Sequence, residues 1–179
     1  KANRTGSDPK WREALRLHLI KEWDAYECVG FEADDMCGVE QKEDGSTMIV
    51  AIDKDLLQVP GLHYQWAIIR KGVVVRPAQF LEISPLQGLQ SFFKQMLTGD
   101  VCDNIKGVKG IGAKKAEALI TPLKTEEEMY DAVLDLYHRD DTDKESIVCS
   151  EERFKRNCDL LWIFRNLGET YSVRREIRG

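Results

Sequence analysis

The sequence predicts an α/β fold with a mixed, mainly parallel central sheet followed by a helical part. Three observations carry that expectation. A continuous apolar β-type run, Thr47-Met48-Ile49-Val50-Ala51-Ile52, ends on the carboxylates Asp53 and Asp55. Stretches with helical spacing flank it on both sides, and after Asp103 the chain turns rich in Gly and Lys before becoming helical again. The 179 residues suffice for one compact domain, or for a domain with a helical extension.

Taken in order, Ser7-Asp8-Pro9 is a helix-start signal, an N-cap candidate followed by Pro at the first turn. Trp11, Leu15, Leu19 and Trp23 then recur at fourfold spacing, which predicts a helix to about Tyr26. Its polar face carries Lys10, Arg12, Arg16 and Lys21, either a solvated surface or one turned toward phosphate. Gly30-Phe31-Glu32 breaks the pattern, and a shorter helix is expected from Glu32 to about Gln41. The Thr47–Ile52 run, bounded by Asp44-Gly45, suits a strand of a parallel sheet buried on both faces. Carboxylates at the C-terminal end of such a strand stand where α/β sheets place ligands. Tyr64 to Ile69 and Val73 to Arg76, around Lys71-Gly72, read as a hairpin or a pair of short strands. Helices are expected from Pro85 to Leu97, Ala113 to Ile120 and Glu126 to Tyr137, then an acidic loop from Arg139 to Asp143. A last helix opens at Ser150 and puts Phe154, Cys158, Leu161 and Trp162 on one face, a core stripe. The expected divisions are 1–97 for an α/β core, 98–124 for the Gly- and Lys-rich motif with its helix, and 125–179 for a helical region.

Composition narrows the class. Hydrophobic residues at 42% and charged residues at 32%, with 13 Gly and 5 Pro, are ordinary globular usage and exclude collagen-like, mucin-like and wholly disordered chains. No apolar run approaches the roughly 18 to 20 residues of a membrane span, so a soluble chain is expected. The basic start lacks the apolar stretch and cleavage site of a targeting peptide. Five scattered cysteines with no Cys-x-x-Cys pair make a disulfide framework or zinc finger poor readings, and reduced thiols are expected. The net charge of −5 would not flag a nucleic-acid binder. If seven carboxylates share one site, however, 31 − 7 = 24 acids remain against 26 bases, and the acid excess lies inside that site.

Three acidic clusters are candidates for it. In Glu32-Ala33-Asp34-Asp35, a helix sets Glu32 and Asp35 about 60° apart on one face and points Asp34 elsewhere. In Asp53-Lys54-Asp55, alternate residues share a side if the backbone stays extended. Asp100 and Asp103 come together on one helix-like turn. Any one cluster alone reads more simply as surface acid or helix capping. Converging, they would repel by several kcal/mol per pair at about 4 Å, which divalent metal relieves. All-oxygen ligation selects Mg²⁺ or Mn²⁺ over zinc, and a pair of such ions suits attack of water on a phosphodiester. The following segment supplies Lys106, Lys109, Lys114 and Lys115 with no acid between them, suited to a DNA backbone. Gly107, Gly110 and Gly112 allow tight turns that expose amides near a helix N-terminus. Because Asp100 and Asp103 precede this segment instead of a buried strand, it is not a dinucleotide-binding turn.

Glu32-Ala33-Asp34-Asp35, Asp53-Lys54-Asp55-Leu56 with Pro60-Gly61, and Thr98-Gly99-Asp100 through Asp103-Asn104-Ile105 with Gly107 to Gly112 resemble the motifs of the flap endonuclease/5′→3′ exonuclease family. Lys1-Ala2-Asn3-Arg4 resembles the basic arch-base motif of its bacteriophage members, those of short-tailed phages standing nearest. The likeness runs to about Ile120. It implies a PIN/5′-nuclease-like sheet core, a helical arch, and a helix-three-turn-helix that grips duplex DNA, often with a bound K⁺. It implies two Mg²⁺ or Mn²⁺ ions held by Glu32, Asp34, Asp35, Asp53, Asp55, Asp100 and Asp103, and it is the main ground for including Asp34. Lys1 matches the lysine on the scissile phosphate and Arg4 its basic neighbour. The implied partners are DNA with a 5′ end or flap and RNA–DNA primer junctions, without a membrane. A monomer in bacterial or phage-infected host cytoplasm is expected. Family members carry, ahead of the basic motif, a first sheet strand with an aspartate and a further acidic site. Neither is in this sequence, so a longer parent protein is expected. The competing readings are a non-catalytic DNA-binding module of the same fold and a PIN-type RNase.

Overall fold

The computed structural model describes residues 10–140 and 147–172, and the chain divides into two units, one ending at Ala33 and one beginning at Asp34. In the first unit, helix α1 (Arg12–Glu22) forms where the fourfold spacing places it, but buries none of its residues. It is shorter than the sequence suggests. Asp24 takes a left-handed φ of 52° just beyond Trp23, which ends the helix before Tyr26. The Ser7-Asp8-Pro9 start lies outside the described residues. Arg16 pairs with Glu13 at 2.9 Å and also with Glu27, tying the helix to the segment after it.

Helix α2 (Ala33–Glu40) follows, all but its first residue belonging to the second unit, and Glu32 precedes the helix instead of starting it. Strands β1 (Met48–Val50), β2 (Gly61–Gln65) and β5 (Gln79–Ile83) form one sheet in the order β1-β2-β5, with β1 parallel to β2 and β5 antiparallel to it. Strands β3 (Ile68–Arg70) and β4 (Val73–Arg76) form a hairpin around Lys71-Gly72, whose φ values of 49° and 78° suit a tight primed turn. The expected first arm is split, however, Tyr64 and Gln65 belonging to β2. Two expectations are corrected. Among the described residues the sheet is mixed but not mainly parallel, with a single parallel pairing. Nor is the Thr47–Ile52 run buried on both faces. Its strand is only Met48–Val50: Ile49 points into the core, while Met48 and Val50, on the opposite face, are 41% and 59% exposed because no described residue packs over that face.

The large core is helical. Helix α3 (Pro85–Thr98) starts on a Ser84 capping box with Pro at the first turn. A short antiparallel pair, β6 (Gly99–Asp100) and β7 (Ile105–Lys106), follows it. Then come α4 (Ala113–Ile120), α5 (Glu126–His138), capped by Thr125 and Glu128, and α6 (Ile147–Leu161). Phe92, Phe93, Met96 and Leu97 of α3 pack with Ala116, Ile120, Met129, Val133, Tyr137, Phe154, Cys158 and Leu161, all buried. The Phe154–Cys158–Leu161 stripe is core as the spacing predicts, and α6 begins at Ile147, ahead of Ser150. A smaller cluster, Ile49, Leu56, Val59 and Ile163, joins the sheet to the end of α6. All cysteines are free, and among the described residues no helix is long and apolar enough to cross a membrane.

Candidate functional site

Where β1 ends, the chain turns through Asp53 and Lys54 into a short 3₁₀ turn, Asp55–Gln58. Asp53 Oδ1 accepts the Asp55 N–H at 3.0 Å, so the backbone curls at this point and does not stay extended. Opposite, Asp100 ends β6 and is 6% exposed. Its Oδ1 accepts the N–H groups of Cys102 at 2.7 Å and Asp103 at 3.4 Å, which closes a turn between β6 and β7 instead of the expected helix-like one. Its Oδ2 faces Lys54, whose Nζ lies 3.8 Å from it and 3.7 Å from Asp55 Oδ1. Two segments 45 residues apart thus meet through one ammonium group, since 100 − 55 = 45.

Burial pushes the Asp55 carboxyl up to about 6, with the Asp53 and Asp100 charges adding to that and Lys54 opposing it. The Gln95 side chain of α3 eases the Asp55 carboxyl slightly downward, and Gln58 Nε2 donates to Gln95 Oε1 at 2.7 Å and to the Leu161 carbonyl at 2.9 Å. Gln58 and Gln95 escape sequence reasoning. The signal was a polar residue inside an apolar helical pattern, which does not say what it reaches.

The remaining candidates are spread out. Asp35 Oδ1 accepts the Phe164 N–H at 3.2 Å, Asp34 lies beside it on α2, and Asp103 is exposed on the β6–β7 turn. Glu32 belongs to the first unit, and Lys1 and Arg4 lie outside the described residues. Among the described residues, no group of three or more His, Cys, Asp and Glu side chains stands close enough to hold a metal ion. The donor chemistry at Asp55 and Asp100 still suits a hard cation, because an ammonium group already lies between their oxygens.

Beyond β7, Lys106, Lys109, Lys114 and Lys115 are exposed. The glycines among them differ in cause. A Cβ on Gly107 would meet the Leu97 carbonyl oxygen at 2.3 Å, whereas Gly110 and Gly112 have open space there. Gly110 needs its left-handed φ of 76°, but Gly112 has an ordinary φ of −96°. Several amides are not offered outward. Val108 N–H donates to the Leu97 carbonyl at 2.8 Å, Lys109 N–H to Asp140 Oδ2 at 3.0 Å, and Ile111 N–H to the Val108 carbonyl at 3.2 Å.

The chain as a whole is similar to known proteins. The chain is 34% identical over 127 residues to DNA polymerase I of Bacillus caldotenax, covering 66% of this chain and 14% of that protein. It is 33% identical over 135 residues to DNA polymerase I of Deinococcus radiodurans, 73% of this chain and 14% of that protein. It is also 32% identical over 139 residues to a 5′-3′ exonuclease of Halalkalibacterium halodurans, 68% of this chain and 45% of that protein. The chain therefore spans less than half the length of these relatives. No family model matches it, and neither does a solved structure. The relatives support the 5′→3′ exonuclease family and not its bacteriophage branch.

Proposed function

We propose that the protein is a metal-dependent 5′→3′ exonuclease or flap endonuclease that hydrolyses phosphodiester bonds near DNA 5′ ends during replication and repair. Relatedness to a 5′-3′ exonuclease and to DNA polymerases I supports the nuclease reading. The observation that carries it in this chain is the β6–β7 hairpin, which joins the Asp100 carboxylate to the Lys106–Lys115 segment without an intervening flexible linker. Asp55 and Asp100 would take a divalent ion, Mg²⁺ or Mn²⁺, where the Lys54 ammonium lies, and a two-ion set that adds Asp53, Glu32, Asp34, Asp35 and Asp103 requires these carboxylates to draw together on metal binding. When bound, such an ion activates water and neutralises charge on the phosphate.

The chain's own groups do the rest. Gln58 ties the Asp55 turn to Gln95 of α3 and to the Leu161 carbonyl, and the Asp100 turn leaves its second oxygen facing Lys54 beside Asp55. Lys106, Lys109, Lys114 and Lys115, with the backbone at Gly110 and Gly112, hold the duplex through its phosphates, with K⁺ at the same segment. Lys1 and Arg4 stabilise charge on the transferred phosphoryl group. The partners are DNA with a 5′ end or flap and RNA–DNA primer junctions, in the cytoplasm. One observation favours a second reading, a DNA-binding module without catalysis: the Lys54 ammonium already stands between Asp55 and Asp100. A 5′-labelled duplex separates the two when Mg²⁺ or Mn²⁺ is titrated. Metal-dependent release of small labelled products supports the nuclease, and binding without cleavage at every metal concentration supports the module.

A further inference from the structure

The shape of the backbone that carries Lys106 and Lys109 is imposed from behind, by side chains of α5, α6 and Asp140, two residues past α5. Asn157 on α6 donates from Nδ2 to the Lys106 carbonyl at 2.8 Å and to the Tyr137 hydroxyl at 2.8 Å. That hydroxyl donates to the Met96 carbonyl at 2.7 Å. Arg153, one turn earlier on α6, donates from Nη1 to the Gly107 carbonyl at 3.1 Å and from Nη2 to Asp140 Oδ2 at 2.9 Å. The same Oδ2 accepts the Lys109 N–H at 3.0 Å. The Arg153 guanidinium also lies over the Tyr137 ring, 4.7 Å from its centre. The side chains of Arg153 and Asp140 are 7% and 1% exposed.

An ion pair this buried is a poor device for stability, because desolvation offsets much of its attraction. The apolar core of α3 to α6 is continuous beside it. Its distinct effect is geometric: the pair fixes the Gly107 carbonyl and the Lys109 amide, and Asn157 the neighbouring Lys106 carbonyl, in a glycine-containing segment that would otherwise leave the backbone free. We infer that Asp140, Arg153 and Asn157 are positioning residues for nucleic-acid binding, holding residues 106–109 so that the Lys106 and Lys109 side chains project in one arrangement toward a duplex. The inference rests on reading that segment as the DNA grip.

The test uses the 179-residue chain, a fluorescent 5′-overhang duplex titrated across KCl concentrations, and amide hydrogen exchange at Lys109. Arg153→Lys keeps a positive charge beside Asp140 but loses the planar fork that also reaches Gly107. It is expected to stay folded by circular dichroism, to speed Lys109 amide exchange, and to weaken duplex affinity about tenfold with an unchanged salt slope. Lys109→Ala serves as the contrast, lowering the salt slope by about one with exchange in the rest of the segment unchanged. Asp140→Asn is the milder second variant, with the same direction expected and a smaller size. Faster exchange with wild-type affinity in both brace variants would overturn the inference. So would a salt slope that falls in Arg153→Lys, since Arg153 would then be a phosphate contact itself. If Lys109→Ala also leaves affinity and slope unchanged, the DNA-grip reading fails, and the inference fails with it.

Discussion

Asp55 shows how one residue's surroundings set its chemistry. Its carboxyl releases a proton near 3.8 in an unfolded chain and at about 6 in the folded one. Because the folded pKa is raised, the cost of burying the charge is absent below about pH 4, grows between the two values and is complete above about 6, so this group's contribution to stability falls as pH rises. A divalent ion at Asp55 must displace that proton. The Mg²⁺ concentration giving half-maximal cleavage is therefore expected to rise as pH falls through about 6, and Asp55→Asn to remove that dependence along with most turnover. Assays of cleavage against Mg²⁺ at several pH values check this. The glycines offer a second residue-scale test. Gly107→Ala drives a Cβ against the Leu97 carbonyl and is expected to cost about 3 kcal/mol in chemical denaturation. Gly112→Ala meets nothing and is expected to change stability by less than about 0.5 kcal/mol, while weakening duplex affinity if phosphate approaches the backbone there.

At the level of elements, the sequence showed helices better than sheet. Leu86, Leu89, Phe92, Phe93 and Met96 gave α3 its helical period, and Ser84 and Thr125 fix helix starts through capping boxes. The strand β5 was not visible, because Gln79-Phe80-Leu81-Glu82-Ile83 breaks the apolar–polar alternation: Phe80 sits on the open face, 73% exposed, its ring tilted against Tyr64 at 4.7 Å. An apolar run such as Met48-Ile49-Val50 reads the same whether both faces are covered or one, and only what packs over each face decides it. The acidic clusters were legible by residue type. Their supports were not: Asp140 reaches Lys109 across 31 positions and Arg153 reaches Gly107 across 46, distances that no local period encodes. Tyr137 lies where α3, α5 and α6 meet. Tyr137→Phe removes the hydroxyl between Asn157 and the Met96 carbonyl, and is expected to cost about 2 kcal/mol, measured as a lower midpoint in urea.

For the whole molecule, charge distribution matters more than net charge. The total of −5 conceals an acidic group at Asp53, Asp55 and Asp100 and a lysine-rich segment a few residues beyond β7. Replacing Lys109 and Lys114 together with Ala is expected to weaken binding alike on every duplex sequence and to flatten the salt dependence by about two units of slope, readable by anisotropy titration at several KCl concentrations. An unchanged slope would place the duplex elsewhere on the protein.

The pairing of Gly99 with Lys106 and of Asp100 with Ile105 has a further consequence. It fixes the span between the lysine-rich segment and the acidic group through backbone hydrogen bonds, so under the proposed function the hairpin would act as a ruler along the strand. Cleavage would then yield fragments of one narrow length distribution across different base compositions, and loosening the ruler at Gly99 would broaden that distribution before it slowed the reaction.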